Sequence, residues 1–322
     1  MHPAFSVIFL TTLIGAGQGL FLALFTSESY AAVGLLPKQS HTFYAVGAFL
    51  ALLLLIAGLI ASVFHLGRPE RAWRAASQWR TSWLSREVIA LPLVMGLVAL
   101  YALIHLFEWN PMFLGYSFGD KVTLILGGVT SAAIFALFLC TGMIYAAIRF
   151  LKEWFSPLTI INFILLGGAS GFVLATVYSS YYAPNLINFF GLWAIAITLI
   201  AWFSRSASLA RNARIKSTST IQTAIGVRHT QIQQKSMGMM GGSFNTREYF
   251  HGKTLFFLKS VKWIFIVLTF PVPILLLWTG MQIDQQPLLL TAFVLQYTGL
   301  LFERWLFFAQ ANHPQNIYYQ TV

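Results

Sequence analysis

Charged side chains are scarce. Asp, Glu, Lys and Arg make up 9% of the 322 residues, against about 25% in a soluble domain. So few charges cannot cover a water-facing surface. With 57% hydrophobic residues, the composition excludes a soluble enzyme, a disordered chain and a disulfide scaffold. Cysteine is scarcer still: Cys140 stands alone, inside an apolar run. The chain therefore forms no internal disulfide, and thiolate clusters, which need several cysteines, must sit on other subunits. Acidic residues are also few, nine against 20 Lys and Arg, which leaves a net charge of +11. In a soluble protein that excess would suggest nucleic acid. In a membrane protein it first poses a question of sidedness, and no nucleic acid is expected. The opening Met1-His2-Pro3-Ala4-Phe5 has no basic region or twin arginine, and the run behind it reaches Phe25 without a cleavage site. It reads as a retained first span.

What is present is long apolar runs. A helical span needs about 20 such residues. Eight runs qualify, at 5–26, 43–66, 87–107, 121–150, 157–180, 186–204, 255–280 and 286–308. Each is continuously apolar, without strand alternation. The expected fold is therefore an all-α integral membrane protein, one domain over 1–322 with eight transmembrane helices. An even number of spans places both termini on one side. The loops on that side and their adjoining helix ends hold 18 of the 20 Lys and Arg, and only Lys38 and Lys121 lie opposite. The positive-inside rule then makes both termini cytoplasmic. Residues 205–254 form a basic cytoplasmic loop rich in Ser, Thr, Gln and Gly, with eight Lys and Arg against Glu248. It suits either anionic headgroups or a protein partner.

Gly15 and Gly19 are four apart, as are Gly167 and Gly171. That spacing lets helices cross closely. The Gly15-Ala16-Gly17-Gln18-Gly19 stretch is not a phosphate loop, because no strand precedes it. Gln18 within this span needs a hydrogen-bond partner, either a neighbouring helix or a ligand carbonyl. Chemistry concentrates between the second and third spans, in His65-Leu66-Gly67-Arg68-Pro69-Glu70-Arg71-Ala72-Trp73-Arg74 and Trp79-Arg80-Thr81-Ser82-Trp83-Leu84-Ser85-Arg86-Glu87. Gly67 and Pro69 end the helix. Arg71, Trp73, Arg74 and Arg80 then suit a short amphipathic helix lying in the interface, available for partner docking. His65 and Glu87, with Arg86 beside it, are less well explained by anchoring. A histidine and a carboxylate near one interface suit proton exchange coupled to a redox ligand. Glu303 and Arg304 form a structural ion pair or line a polar cavity with Arg86 and Glu87, and the structural reading is preferred. His41 and His105 are the only geometric pair for a haem on the opposite face. Both read as peripheral, so no haem is expected.

At these residues the chain resembles the membrane anchor subunits of dimethyl sulfoxide reductase-type complexes, the DmsC family. The resemblance spans the chain in helix number and is specific at His65-Leu66-Gly67-x-Pro69-x-Arg71-Ala72, at Leu84-Ser85-x-Glu87 and at Gln18. It implies an anchor in the bacterial cytoplasmic membrane holding an iron–sulfur subunit and a molybdopterin catalytic subunit on the cytoplasmic face. The anchor exchanges electrons with quinone or quinol and carries no haem or metal of its own. It further implies that His65, Glu87 and Gln18 belong to the quinone site, while Arg68 stands where the motif varies. On the residues themselves, Arg68 and Arg86 join that site, His65 hydrogen-bonds a quinone oxygen and Glu87 exchanges the proton. The run from Arg68 to Trp73 is most similar to anchors of cytoplasmic sulfite dehydrogenases, which implies sulfite oxidation with quinone reduction. The quinol-oxidising direction of a sulfoxide reductase is the alternative. A secondary transporter is the rival of another class, although its polar groups would be expected near the midplane in repeated positions.

Overall fold

The computed structural model describes residues 1–109, 112–113, 116–117, 119–216, 220–232 and 251–313. Lys235 and Arg247 of the basic loop lie outside them. The helices are α1 (Phe5–Ala32), α2 (His41–Val63), α3 (Trp83–Leu106), α4 (Gly119–Ala146), α5 (Pro157–Tyr182), α6 (Ile187–Asn212), α7 (Ile221–Ile225), α8 (Leu255–Thr269), α9 (Pro271–Gln282) and α10 (Gln286–Ala309). A 3₁₀ helix, Pro69–Gln78, precedes α3. A two-residue antiparallel pair, Met112–Phe113 with Tyr116–Ser117, is the only departure from helix among the described elements. Hydroxyl caps set several helix starts: Ser40, Ser82, Ser156 and Thr254 accept from Phe43, Ser85, Leu158 and Phe257, each satisfying an otherwise orphaned amide.

Seven helical segments among the described residues are long and apolar enough to cross a membrane: α1 to α6, and α8 with α9 taken together. Helix α10 has the length, 24 residues, but it carries Gln296, Glu303 and Arg304 and is not among the seven. Three boundaries differ from the sequence expectation. Helix α1 runs on to Ala32, which draws Glu28 into the bundle, where it is 8% exposed. Helix α6 continues to Asn212, so Arg205 is not the first residue of a loop but is buried in a helix. The run 255–280 is broken at Phe270 (φ −115°, ψ −79°). Proline causes the break: Pro273 has no N–H for the Thr269 carbonyl. Gln296 Nε2 meets that carbonyl at 3.4 Å and Thr198 Oγ1 at 3.2 Å.

Helices α1 and α5 are the most buried spans and cross at their glycines. A Cβ on Gly15 would stand 3.3 Å from Gly167 Cα. One on Gly19 would overlap the Gly167 carbonyl, and one on Gly171 would overlap the Gly19 backbone. The glycine spacing therefore does what small residues do between membrane helices. Helices α2 and α4 pack against α1 with α3 between them, and α6 and α10 pack against α5 with α8 and α9 against α10. Leu53, Ile60, Leu93, Leu100, Ile125, Phe203 and Trp263 face outward and exposed, as lipid contact requires.

The ends sort into two faces. At one, the Met1 amino group donates to Ala311 O at 2.8 Å. Trp154 Nε1 donates to Phe307 O at 2.9 Å, and Arg211 Nη1 to Lys152 O at 3.1 Å. This face gathers the start of α1, the connection from α4 to α5 and the ends of α6 and α10. At the other, His41 meets His105 and Gln286 Nε2 donates to Ser180 O at 2.8 Å.

Candidate functional site

Near the face that holds the chain's start, a cavity of about 20 Å³ is lined by Thr11, Gln18, Glu87, Thr141, Ser170 and Arg304, with Leu10, Phe138, Phe163 and Leu300 among its apolar walls. It is enclosed by α1, α3, α4, α5 and α10. Gln18 is 2% exposed, and its Nε2 has no hydrogen-bond partner among the described residues. A buried donor left unmet costs about 1–3 kcal/mol, so the amide is poised for an acceptor that enters the cavity. Glu87 is buried in the first turn and a half of α3 and accepts a short hydrogen bond from Thr141 Oγ1. The volume matches about one water.

Arg304 reaches the cavity from α10, with its guanidinium carbon 3.8 Å from the centre of the Phe163 ring. Its Nε lies 3.3 Å from Glu303 Oε2, and Arg205 Nε from α6 lies 2.7 Å from Glu303 Oε1. Neither contact is aligned as a hydrogen bond, so these are Coulombic pairs. Two arginines and one glutamate leave a net positive charge, and the carboxylate closest to balancing it within the cavity lining is Glu87. The ion pair and the cavity, weighed as alternatives from sequence, thus coexist. Arg205 is a third partner the sequence did not suggest, because its position looked like the start of a loop.

The remaining expected site residues stand elsewhere. Arg86 does not pair with Glu87: its Nε and Nη2 donate to Trp79 O and Arg80 O, each at 2.9 Å, and its guanidinium covers Trp83 at 4.1 Å. Arg86 thus braces the turn before α3, although it is next to Glu87 in the sequence. His65, just past α2, is exposed and does not line the cavity; neither does the exposed Arg68. Partial desolvation nevertheless lowers the His65 pKa below the ordinary histidine value. Trp73, Arg74, Trp79 and Arg80 are exposed in and after the 3₁₀ segment, with Arg74 over Trp73 and Arg80 over Trp79. Arg71 pairs at 3.8 Å with Glu70 at the surface.

At the far face, the pairing of His41 with His105 was read from the sequence, but the polar cluster they form with Tyr101 and Glu28 was missed. Tyr101 Oη donates to Glu28 Oε2, His105 Nε2 lies 3.4 Å from Glu28 Oε1, and His41 Nδ1 lies 3.1 Å from His105 Nδ1. His105 stands at the end of α3, as read from the sequence, but is buried there, 2% exposed. Tyr101 and His105 are four apart on α3 and so share a face. That spacing was a usable signal once Glu28 was placed inside the span.

The family model described as "DMSO reductase anchor subunit (DmsC)" matches residues 1–310. The C subunit of sulfite dehydrogenase from Allochromatium vinosum is 58% identical over 324 positions, covering 100% of both proteins. The C component of the anaerobic dimethyl sulfoxide reductase from Haemophilus influenzae is 26% identical over 198 positions, covering 61% of this protein and 66% of that one.

Proposed function

From the premise that this protein belongs to the DMSO reductase anchor subunit (DmsC) family, we propose that it is the quinone-reactive membrane subunit of a sulfite-oxidising complex. It passes electrons from an extrinsic iron–sulfur subunit to quinone, and a molybdopterin subunit performs the substrate chemistry. The 58% identity to the corresponding subunit of a sulfite dehydrogenase favours this direction over quinol oxidation. Eight spans are proposed, with α10 as the eighth and both termini cytoplasmic. The contact of Met1 with Ala311 and the basic loops gathered at that face support this arrangement.

The observation that carries the quinone reading is the unmet Gln18 Nε2 in one cavity with Glu87 and Arg304. Gln18 donates a hydrogen bond to a quinone oxygen. Arg304 offsets the negative charge that builds on the ring as electrons arrive. Glu87 exchanges a proton with a ring oxygen. The head group needs more room than about 20 Å³, so its entry displaces leucine side chains of the lining. Beside the cavity, an apolar groove of about 340 Å³ is lined by Phe5, Ile8, Phe9, Leu301, Phe302 and Trp305 among others. Leu300 and Arg304 of the cavity adjoin Leu301 and Trp305 in the sequence of α10, and this groove suits an isoprenoid tail. His65 and Arg68 act at the surface, where protons reach the site, and Arg71, Trp73, Arg74 and Arg80 form the docking face for the partner.

Purification in mild detergent tests the partner reading. The protein should bring iron and molybdenum subunits with it. A protein that purifies alone and moves a solute in liposomes supports the transporter instead. For the quinone site, a photoreactive quinone should label residues lining the cavity, and Gln18→Leu should abolish that labelling.

A further inference from the structure

The far-face cluster is separate from the Gln18–Glu87 cavity and is not used by the proposed function. Glu28 lies ten residues beyond Gln18 on α1, about 15 Å along the axis. Its carboxylate accepts a hydrogen bond from the Tyr101 hydroxyl on Oε2, and His105 Nε2 lies 3.4 Å from Oε1 without being aligned as a hydrogen bond. The other ring nitrogen of His105 faces His41 Nδ1 at 3.1 Å. Two nitrogens at that distance share one proton, so one ring donates while the other accepts. The Tyr44 ring lies against His105, with centroids 5.0 Å apart, and Tyr101 meets it edge-on at 4.6 Å. His41 is half-buried and lines a cavity of about 310 Å³ together with Lys38, Gln39, Lys121 and Thr123, and buried Tyr44, His105 and Glu28 also border it. His41 is the most exposed of the three acid–base groups and so the entry to the line His41, His105, Glu28, which ends on a carboxylate only 8% exposed.

We infer that this line is a proton-exchange site, which takes a proton from the far-face cavity and stores it on Glu28. In the starting state His41 carries its proton on Nδ1 and His105 on Nε2. A proton from cavity water binds His41 Nε2. The His41 Nδ1–H bond breaks as His105 Nδ1–H forms. The His105 Nε2–H bond breaks as Glu28 Oε1–H forms, after a small rotation brings that pair into line. One proton has moved from water to the carboxylate, both rings have changed tautomer, and a single hydrogen still bridges the two Nδ1 atoms. The reverse sequence unloads it. Tyr101 stays bonded to Oε2 throughout and fixes the carboxylate. Among the described residues, the titratable and charged groups around Glu28 are His41 and Tyr44 from α2, Tyr101 and His105 from α3, and Lys121 from α4. Lys38 faces it from the α1–α2 connection. Packed against Glu28's own helix, α5 places its Tyr178 hydroxyl on Phe43 O rather than on the carboxylate.

Infrared difference spectra of the detergent-solubilised complex after a pH jump test this site without relying on turnover, and so independently of the quinone reading. A carboxylic acid C=O band should rise on acidification and be missing in Glu28→Gln. In His41→Ala its amplitude should persist while its rise slows about 10²-fold, the lower end of what a placed proton carrier contributes. Added imidazole, which the cavity has room for, should restore the rate. A wild-type complex with no such band, an unchanged rate in His41→Ala, or a slowed rate that imidazole fails to restore would each overturn the assignment.

Discussion

Glu303 is the residue on which most of the buried charge depends. Among the described residues it alone stands between Arg205 and Arg304, both at most 4% exposed. Removing one partner of a buried charge cluster typically costs about 3–5 kcal/mol, because the charges left behind are uncompensated. Glu303→Ala should therefore lower the thermal midpoint of the complex in detergent markedly. Glu70→Ala, which breaks a surface pair with Arg71, should leave it nearly unchanged. His65 offers a test of a different kind. Desolvation favours its neutral form and sets its pKa below the ordinary value of 6.5. The folded protein then binds fewer protons there than the unfolded chain, so this group's contribution to stability falls as pH drops through 6.5 toward the lowered value. Nuclear magnetic resonance of labelled histidines should show rings that stay neutral to lower pH than free histidine, His65 together with His251 and His313, and the one missing in His65→Gln identifies His65.

At the scale of elements, the α1–α5 crossing is the feature whose cause is most local. Gly171 has no room for a Cβ because the Gly19 backbone occupies its place. Gly171→Ala should push α1 from α5, cost about 1–3 kcal/mol as overpacking does and lower the yield of assembled complex. Gly96→Ala is the control, since nothing lies within 4 Å of a Cβ there. The glycine seam was legible in the sequence because a four-residue spacing specifies a helix face directly. The ends of the spans were not. Polar residues such as Glu28 and Arg205 stop an apolar run on paper, yet helices α1 and α6 continue through them because tertiary partners accept their charges. The break at Phe270 had a sequence cause in Pro271 and Pro273. Its compensation by Gln296 is a long-range contact that hydropathy cannot show.

For the molecule as a whole, the convergence of the site was only partly legible. Gln18 and Glu87 were both singled out, and the structure brings them into one cavity. Arg304 joins them from almost the other end of the chain, whereas His65, close to Glu87 in the chain, stays at the surface. Proximity in sequence thus misled where helix packing decides. The proposed topology has its own check. Cys140 is buried, so in a Cys140→Ala background only introduced thiols should react. A cysteine at Lys38 should be labelled from outside intact cells, and one at Lys216 only after the membrane is opened; the opposite pattern would reverse the orientation. Turnover of the intact complex in Glu87→Gln then addresses the role of the protein itself, measured once with quinone and once with a soluble dye that takes electrons directly from the partner subunits. Loss of the general acid should cut quinone-dependent turnover about 10²–10⁴-fold while the dye-linked rate stays at the wild-type level. Equal quinone-dependent rates in the variant and the wild type, with the complex fully assembled, would contradict quinone chemistry at this cavity.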